Sequence, residues 1–170
     1  MKKNFLNMLP LVVFLALVIS FATILLRPEK IEMMSKPMPP LTLKGLKTED
    51  IKGPALINFF ASWCTPCHAE HDNLMALSEK HKLPIYGIAY KDKRKDTDRY
   101  LKELGNPYKK IGRDDKGRAF IDWGLSGVPE TFLIDADNMI RYHHAGVLLE
   151  EDVSATIMPI IQELETTDEN

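Results

Sequence analysis

The strongest constraint on the fold is the apolar run 55–61, in which Asn58 is the only polar residue; it leads through Ser62 and Trp63 into Cys64-Thr65-Pro66-Cys67. A run this apolar reads as a strand buried on both faces. From Pro66 to about His81 the pattern becomes helical, with Ala69, Leu74 and Leu77 spaced for one face and Pro66 suited to a first turn. A second apolar strand is predicted over 84–90. The charge-dense stretch 92–98 then reads as a loop into a helix through Tyr100, Leu101 and Leu104, stopped by Gly105. Residues 114–117 read as a turn and 119–123 as a short helical piece. Strands over 131–134 and 139–144 are joined by 135–138 as a hairpin. Val153, Ile157, Ile160, Ile161 and Leu164 place a last amphipathic helix, which Pro159 should kink. Strand and helix alternate, so the class is α/β, with one central mixed sheet flanked by helices.

The amino end is of a different kind. Residues 4–26 carry no charge, and about 20 apolar residues cross a bilayer. Lys2 and Lys3 precede the run, so residues 1–27 are expected to be a transmembrane anchor, with the domain exported. A cleaved signal peptide would have a shorter apolar core and a small-residue cleavage site, which the sequence around Leu25 to Glu29 lacks. Prolines 28, 37, 39 and 40 mark 28–40 as a tether, leaving 41–165 as the domain and 166–170 as an acidic tail. Without Lys2 and Lys3 the 22 basic residues fall to 20 against 24 acidic ones, which excludes the broad basic surface of a nucleic-acid binder. Two cysteines exclude a disulfide framework and a four-cysteine zinc site.

The chemistry centres on Cys64 and Cys67. A thiolate where a helix begins is favoured by unpaired N–H groups and the positive end of the dipole. Cys64 is expected at the exposed edge as the attacking sulfur, and Cys67, one turn deeper, as the resolving one. Because His68 follows, Cys-x-x-Cys-His also matches the attachment signature of c-type haem, although Pro66 and the flanking strands fit a sheet protein better. His68 and His71 read as solvated helix residues. His143 and His144 point to opposite faces of a strand, which excludes joint chelation. Residues 135–146 lack the glycine and glutamate of a calcium loop.

Trp63-Cys64-Thr65-Pro66-Cys67, together with Val128-Pro129 before an apolar strand, resembles the thioredoxin superfamily. The resemblance implies a thioredoxin-like fold in which Pro129 is cis and faces the sulfurs, presenting the Val128 backbone to a substrate strand. The stretch 124–135 (Gly-Leu-Ser-Gly-Val-Pro-Glu-Thr-Phe-Leu-Ile-Asp), with 90–92, 101–108 and 141–146, is similar to the cytochrome c maturation thiol–disulfide oxidoreductases, the CcmG/DsbE group.

This likeness implies a single-pass protein of the bacterial inner membrane whose domain faces the periplasm. It would take electrons from a membrane thiol transporter of the DsbD or CcdA type. It would reduce the Cys-x-x-Cys-His cysteines of apocytochrome c, directly or through a partner, with no cofactor beyond its own cysteines. A general periplasmic interchange protein is the alternative, and a haem-binding electron carrier a more distant one. By the same likeness, Asn58 stands where general thioredoxins carry a buried Asp, so a proton-moving role is absent there or transferred. Glu70 and Glu130 match acidic residues placed near the cysteines, where a carboxylate raises the Cys64 pKa and makes the couple more reducing. For Glu70, a solvated helix charge is the competing reading. Thr65-Pro66 and Ser126 depart from the group, which often has Pro-Thr and in some members Tyr.

Overall fold

The computed structural model describes residues 13–18, 21 and 33–168. The expected anchor falls largely outside the described residues; residues 13–18 and 21 are helical. Among the described residues no helix is long and apolar enough to cross a membrane.

Residues 33–168 build one mixed six-stranded sheet. Its strands are β1 (Lys36–Pro37), β4 (Ala55–Phe60), β5 (Ile85–Tyr90), β6 (Lys110–Asp114), β7 (Glu130–Ile134) and β8 (Met139–Ala145), in the spatial order β1-β8-β7-β4-β5-β6. β4, β5 and β6 run parallel, while β7, β8 and β1 pair antiparallel. The short strands β2 (Thr42–Leu43) and β3 (Leu46–Lys47) form a separate hairpin. All six residues of β4 are buried, as its apolar run demands. Because strand side chains alternate, Ile57 and Phe59 enter one core with Trp123 and Phe132. Asn58 and Phe60 face the other side, where they meet Glu70, Tyr100 and Tyr108.

Several expectations are corrected. The described part of the 28–40 segment does not stand off the domain: Lys36–Pro37 is the edge strand β1, and Met38 is buried in the core. Strand β6 was not foreseen, because Lys-Ile-Gly-Arg-Asp holds one large apolar residue and owes its extension to pairing with β5. The 92–98 stretch is mostly helix, since the helix Arg94–Leu104 begins within it and turns its charges to solvent. The helix expected over 66–81 is interrupted at Glu70, giving Thr65–Ala69 and His71–Glu79. The kink foreseen at Pro159 takes the form of a π turn, Val153–Ile157, ahead of the helix Met158–Asp168. A proline has no N–H for the carbonyl four residues back and crowds it, and the wider turn relieves that crowding. The helix continues through Thr166 to Asp168, so the start of the expected tail is part of it.

Candidate active site

Cys64 lies four residues past the end of β4 and caps the helix Thr65–Ala69. Its backbone is extended, and its Sγ accepts the Cys67 N–H at 3.1 Å. Pro66 sits in the first turn, where a missing N–H loses no helical bond. Cys64 and Cys67 are joined as a disulfide, with Cα atoms 5.3 Å apart. The expected contrast in exposure is absent in this oxidised form: Cys64 is 3% and Cys67 1% exposed. Trp63 beside them is 58% exposed, and its indole N–H donates to Lys91 O at 3.4 Å.

The Val128–Pro129 peptide is cis. The Val128 carbonyl oxygen lies 3.4 Å from Cys64 Sγ, so the sulfur and a backbone acceptor share one edge of the site. Glu130, the next residue, is buried. One carboxylate oxygen accepts Ser126 N–H (2.7 Å), Ser126 Oγ (2.8 Å) and Gly127 N–H (2.9 Å); the other meets His143 Nε2 at 2.6 Å. Burial pushes this carboxyl up, but the bonds from Ser126, Gly127 and His143 together outweigh it and hold Glu130 below the usual range. The His143 ring in turn stacks on Phe132 at 4.1 Å. Glu130 is therefore an ionised clasp on the 126–127 turn that carries Val128. His143 was unforeseen as its partner, because only strand pairing brings the two together: Glu130 pairs with Ala145 and Phe132 with His143.

On the other face of β4 lies a buried polar cluster. Glu70 is 1% exposed, which removes the solvated-charge reading. Its Oε1 accepts Asn58 Nδ2 at 2.8 Å and its Oε2 accepts Leu148 N–H at 3.0 Å. Burial is the dominant influence and raises its pKa to about 7, against the bonds from Leu148 and Asn58. Asn58 also donates to Thr131 Oγ1 at 2.9 Å, because the two residues are register partners across β4 and β7. Asn58 Oδ1 accepts the Tyr108 hydroxyl at 2.8 Å. The Tyr108 ring can lie over β5 because residue 87 is glycine; a Cβ there would sit 2.9 Å from the ring. Glu70, three residues after Cys67, is thus a buried acid with Asn58 as its neutral partner.

His71 is also buried, contrary to expectation, because its ring bridges two helices. Its Nε2 donates to Gly105 O at 3.2 Å, which leaves Nδ1 to accept the Tyr100 hydroxyl at 2.7 Å. Burial lowers the His71 pKa, keeping the ring neutral in that arrangement. His68 is exposed, and its Nε2 donates to Ser62 O at 2.9 Å. Asp135 closes the β7–β8 hairpin through Asp137 N–H, Met139 N–H and Arg141.

A thioredoxin-like sheet that carries a Cys-x-x-Cys disulfide at a helix start, facing a cis proline, defines a thiol–disulfide oxidoreductase. The Redoxin family model matches residues 35–157. The chain is 41% identical to a thiol:disulfide interchange protein DsbE of Pasteurella multocida, over 91% of this chain and 94% of that one. It is 43% identical to the interchange protein CycY of Rhizobium leguminosarum, over 71% of this chain and 66% of that one. A solved structure from Chlorobium tepidum that carries the DsbE name superposes with a TM-score of 0.66 at 25% identity, covering 76% of this chain and 96% of that one. The chain belongs to the Redoxin family, within its DsbE group of thiol:disulfide interchange proteins.

Proposed function

We propose that the protein is a membrane-anchored, periplasm-facing reductant in cytochrome c maturation, delivering electrons from a membrane thiol transporter of the DsbD or CcdA type to the cysteines of apocytochrome c. The observation that carries this reading is the 3.4 Å approach of Val128 O to Cys64 Sγ. An extended polypeptide can add its backbone to that edge and present a disulfide directly to the sulfur. In the reduced protein the Cys64 thiolate attacks the substrate disulfide, forming a mixed disulfide and releasing one substrate thiolate. Cys67 loses its proton and attacks Cys64, which frees the second substrate sulfur and closes Cys64–Cys67. Two electrons and two protons pass to the substrate. The family likeness gives Glu130 a part in this direction: an ionised carboxylate near Cys64 would oppose the thiolate and so make the couple more reducing.

A Cys67→Ala variant should stop at the mixed disulfide. The polypeptides it retains should carry Cys-x-x-Cys-His or belong to the membrane thiol transporter. A trap filled by many unrelated proteins would make this a general interchange protein instead. The Cys64–Cys67 potential should lie well below about −120 mV, the value of a strong oxidant. Glu130→Gln should lower the Cys64 pKa, read by the pH dependence of alkylation of the reduced protein; an unchanged pKa would confine Glu130 to holding its turn.

A further inference from the structure

We propose that Asp92 is a positioning residue for the exchange reaction, clamping the turn that presents Cys64. Asp92 follows β5 at the end of the sheet where β4 delivers the cysteines. It is 5% exposed. Its Oδ2 accepts Ser62 N–H at 2.8 Å and its Oδ1 accepts Ser62 Oγ at 2.8 Å, so both oxygens hold one residue, two positions before Cys64. Thr97 Oγ1 adds a third bond at 2.8 Å. The backbone carbonyl of Asp92 accepts Arg113 Nη2 from β6. The preceding residue, Lys91, adopts the left-handed conformation, φ 44°. A lysine favours that region poorly, so the surrounding bonds must hold it there.

The remaining polar atom of Ser62, its carbonyl, is occupied by His68 from the Cys67 helix. Every hydrogen-bonding group of Ser62 is therefore engaged, by β5's exit on one side and the helix on the other. The Cys64 N–H donates to Ala61 O at 3.2 Å, completing a turn with little freedom between β4 and the sulfur. When the disulfide opens, this clamp keeps Cys64 Sγ near Cys67 and beside Val128. A turn held in its ring-closing geometry raises the effective concentration of one sulfur at the other, so it favours the disulfide and makes the couple more reducing. The inference rests on thiol–disulfide exchange alone, independent of any particular substrate.

The test equilibrates the full-length protein with reduced and oxidised dithiothreitol. The Cys64–Cys67 bond breaks as the reagent closes its own cyclic disulfide, passing two electrons and two protons to the protein sulfurs. Asp92→Asn should shift this equilibrium about tenfold toward the protein dithiol, about 30 mV more oxidising. Ser62→Ala, which keeps the Asp92 charge and the Ser62 N–H bond, should shift it about threefold in the same direction, and the double variant should be no worse than Asp92→Asn alone. A purely structural Asp92 would weaken the oxidised and reduced proteins equally and leave the equilibrium unmoved, which would overturn the proposal. A shift in Asp92→Asn with none in Ser62→Ala would also overturn it, by making the effect one of charge. Should Asp92→Asn fail to fold, Ser62→Ala decides by itself.

Discussion

Replacing Glu70 with Gln is expected to remove about 3 kcal/mol of pH dependence from the stability of the protein. The carboxyl titrates near its model value of 4.5 when the chain is unfolded and at about 7 when buried beside Asn58. Between those values the unfolded chain has released a proton that the folded protein retains. Stability from this group is therefore complete at low pH, falls as pH rises through that window, and is level above it. Urea unfolding of both proteins at about pH 4.5 and pH 8 cancels the other titrating groups in the difference. Parallel pH profiles for wild type and variant would show that Glu70 ionises without resistance. The same property suits Glu70 to chemistry: near neutral pH a carboxyl of this kind exchanges protons readily, and it lies one helical turn beyond the resolving sulfur.

Asn58→Leu should cost about 4 kcal/mol, although the two side chains are close in volume. The substitution leaves Tyr108 without its acceptor and takes a donor from both Glu70 and Thr131, all of them buried. A buried group stripped of its partner loses about 1–3 kcal/mol, more if charged. Burial, with Tyr100 and Glu70 nearby, pushes the Tyr108 pKa well up, so its hydroxyl stays protonated and cannot escape the loss by ionising. Denaturant unfolding near neutral pH reads the effect. A loss below about 1 kcal/mol would mean that the cluster relaxes onto other partners or admits water.

How far the chain itself announces these contacts varies from residue to residue. Glu70 and Asn58 are marked by likeness to related proteins, but their bond is not, because eleven intervening residues and a change of element separate them. Asp92 lay in a stretch that resembled the family, yet its neighbours are so charged that it read as part of a solvated loop. His71 reads as a solvated helix residue for the same reason: one-dimensional context shows polarity but not which polar groups face inward. Strand β6 shows the complementary failure, where pairing imposed extension on residues with little preference for it.

What the amino-acid order determined was everything governed by local periodicity and by spacing along the chain. The buried strand at 55–60, the helix start at Cys64 and the reach of Cys67 belong to this group, as do the hairpin at 135–138 and the disturbance at Pro159. Tertiary structure alone decided which carboxylates are neutralised by donors and which are left to resist ionisation. Glu130 meets Ser126, Gly127 and His143 and stays charged, whereas Glu70 meets two donors in a deeper site and holds its proton to about pH 7. The physical reason is that desolvation and hydrogen bonding depend on what lies within a few ångströms in space, and those neighbours come from distant parts of the chain.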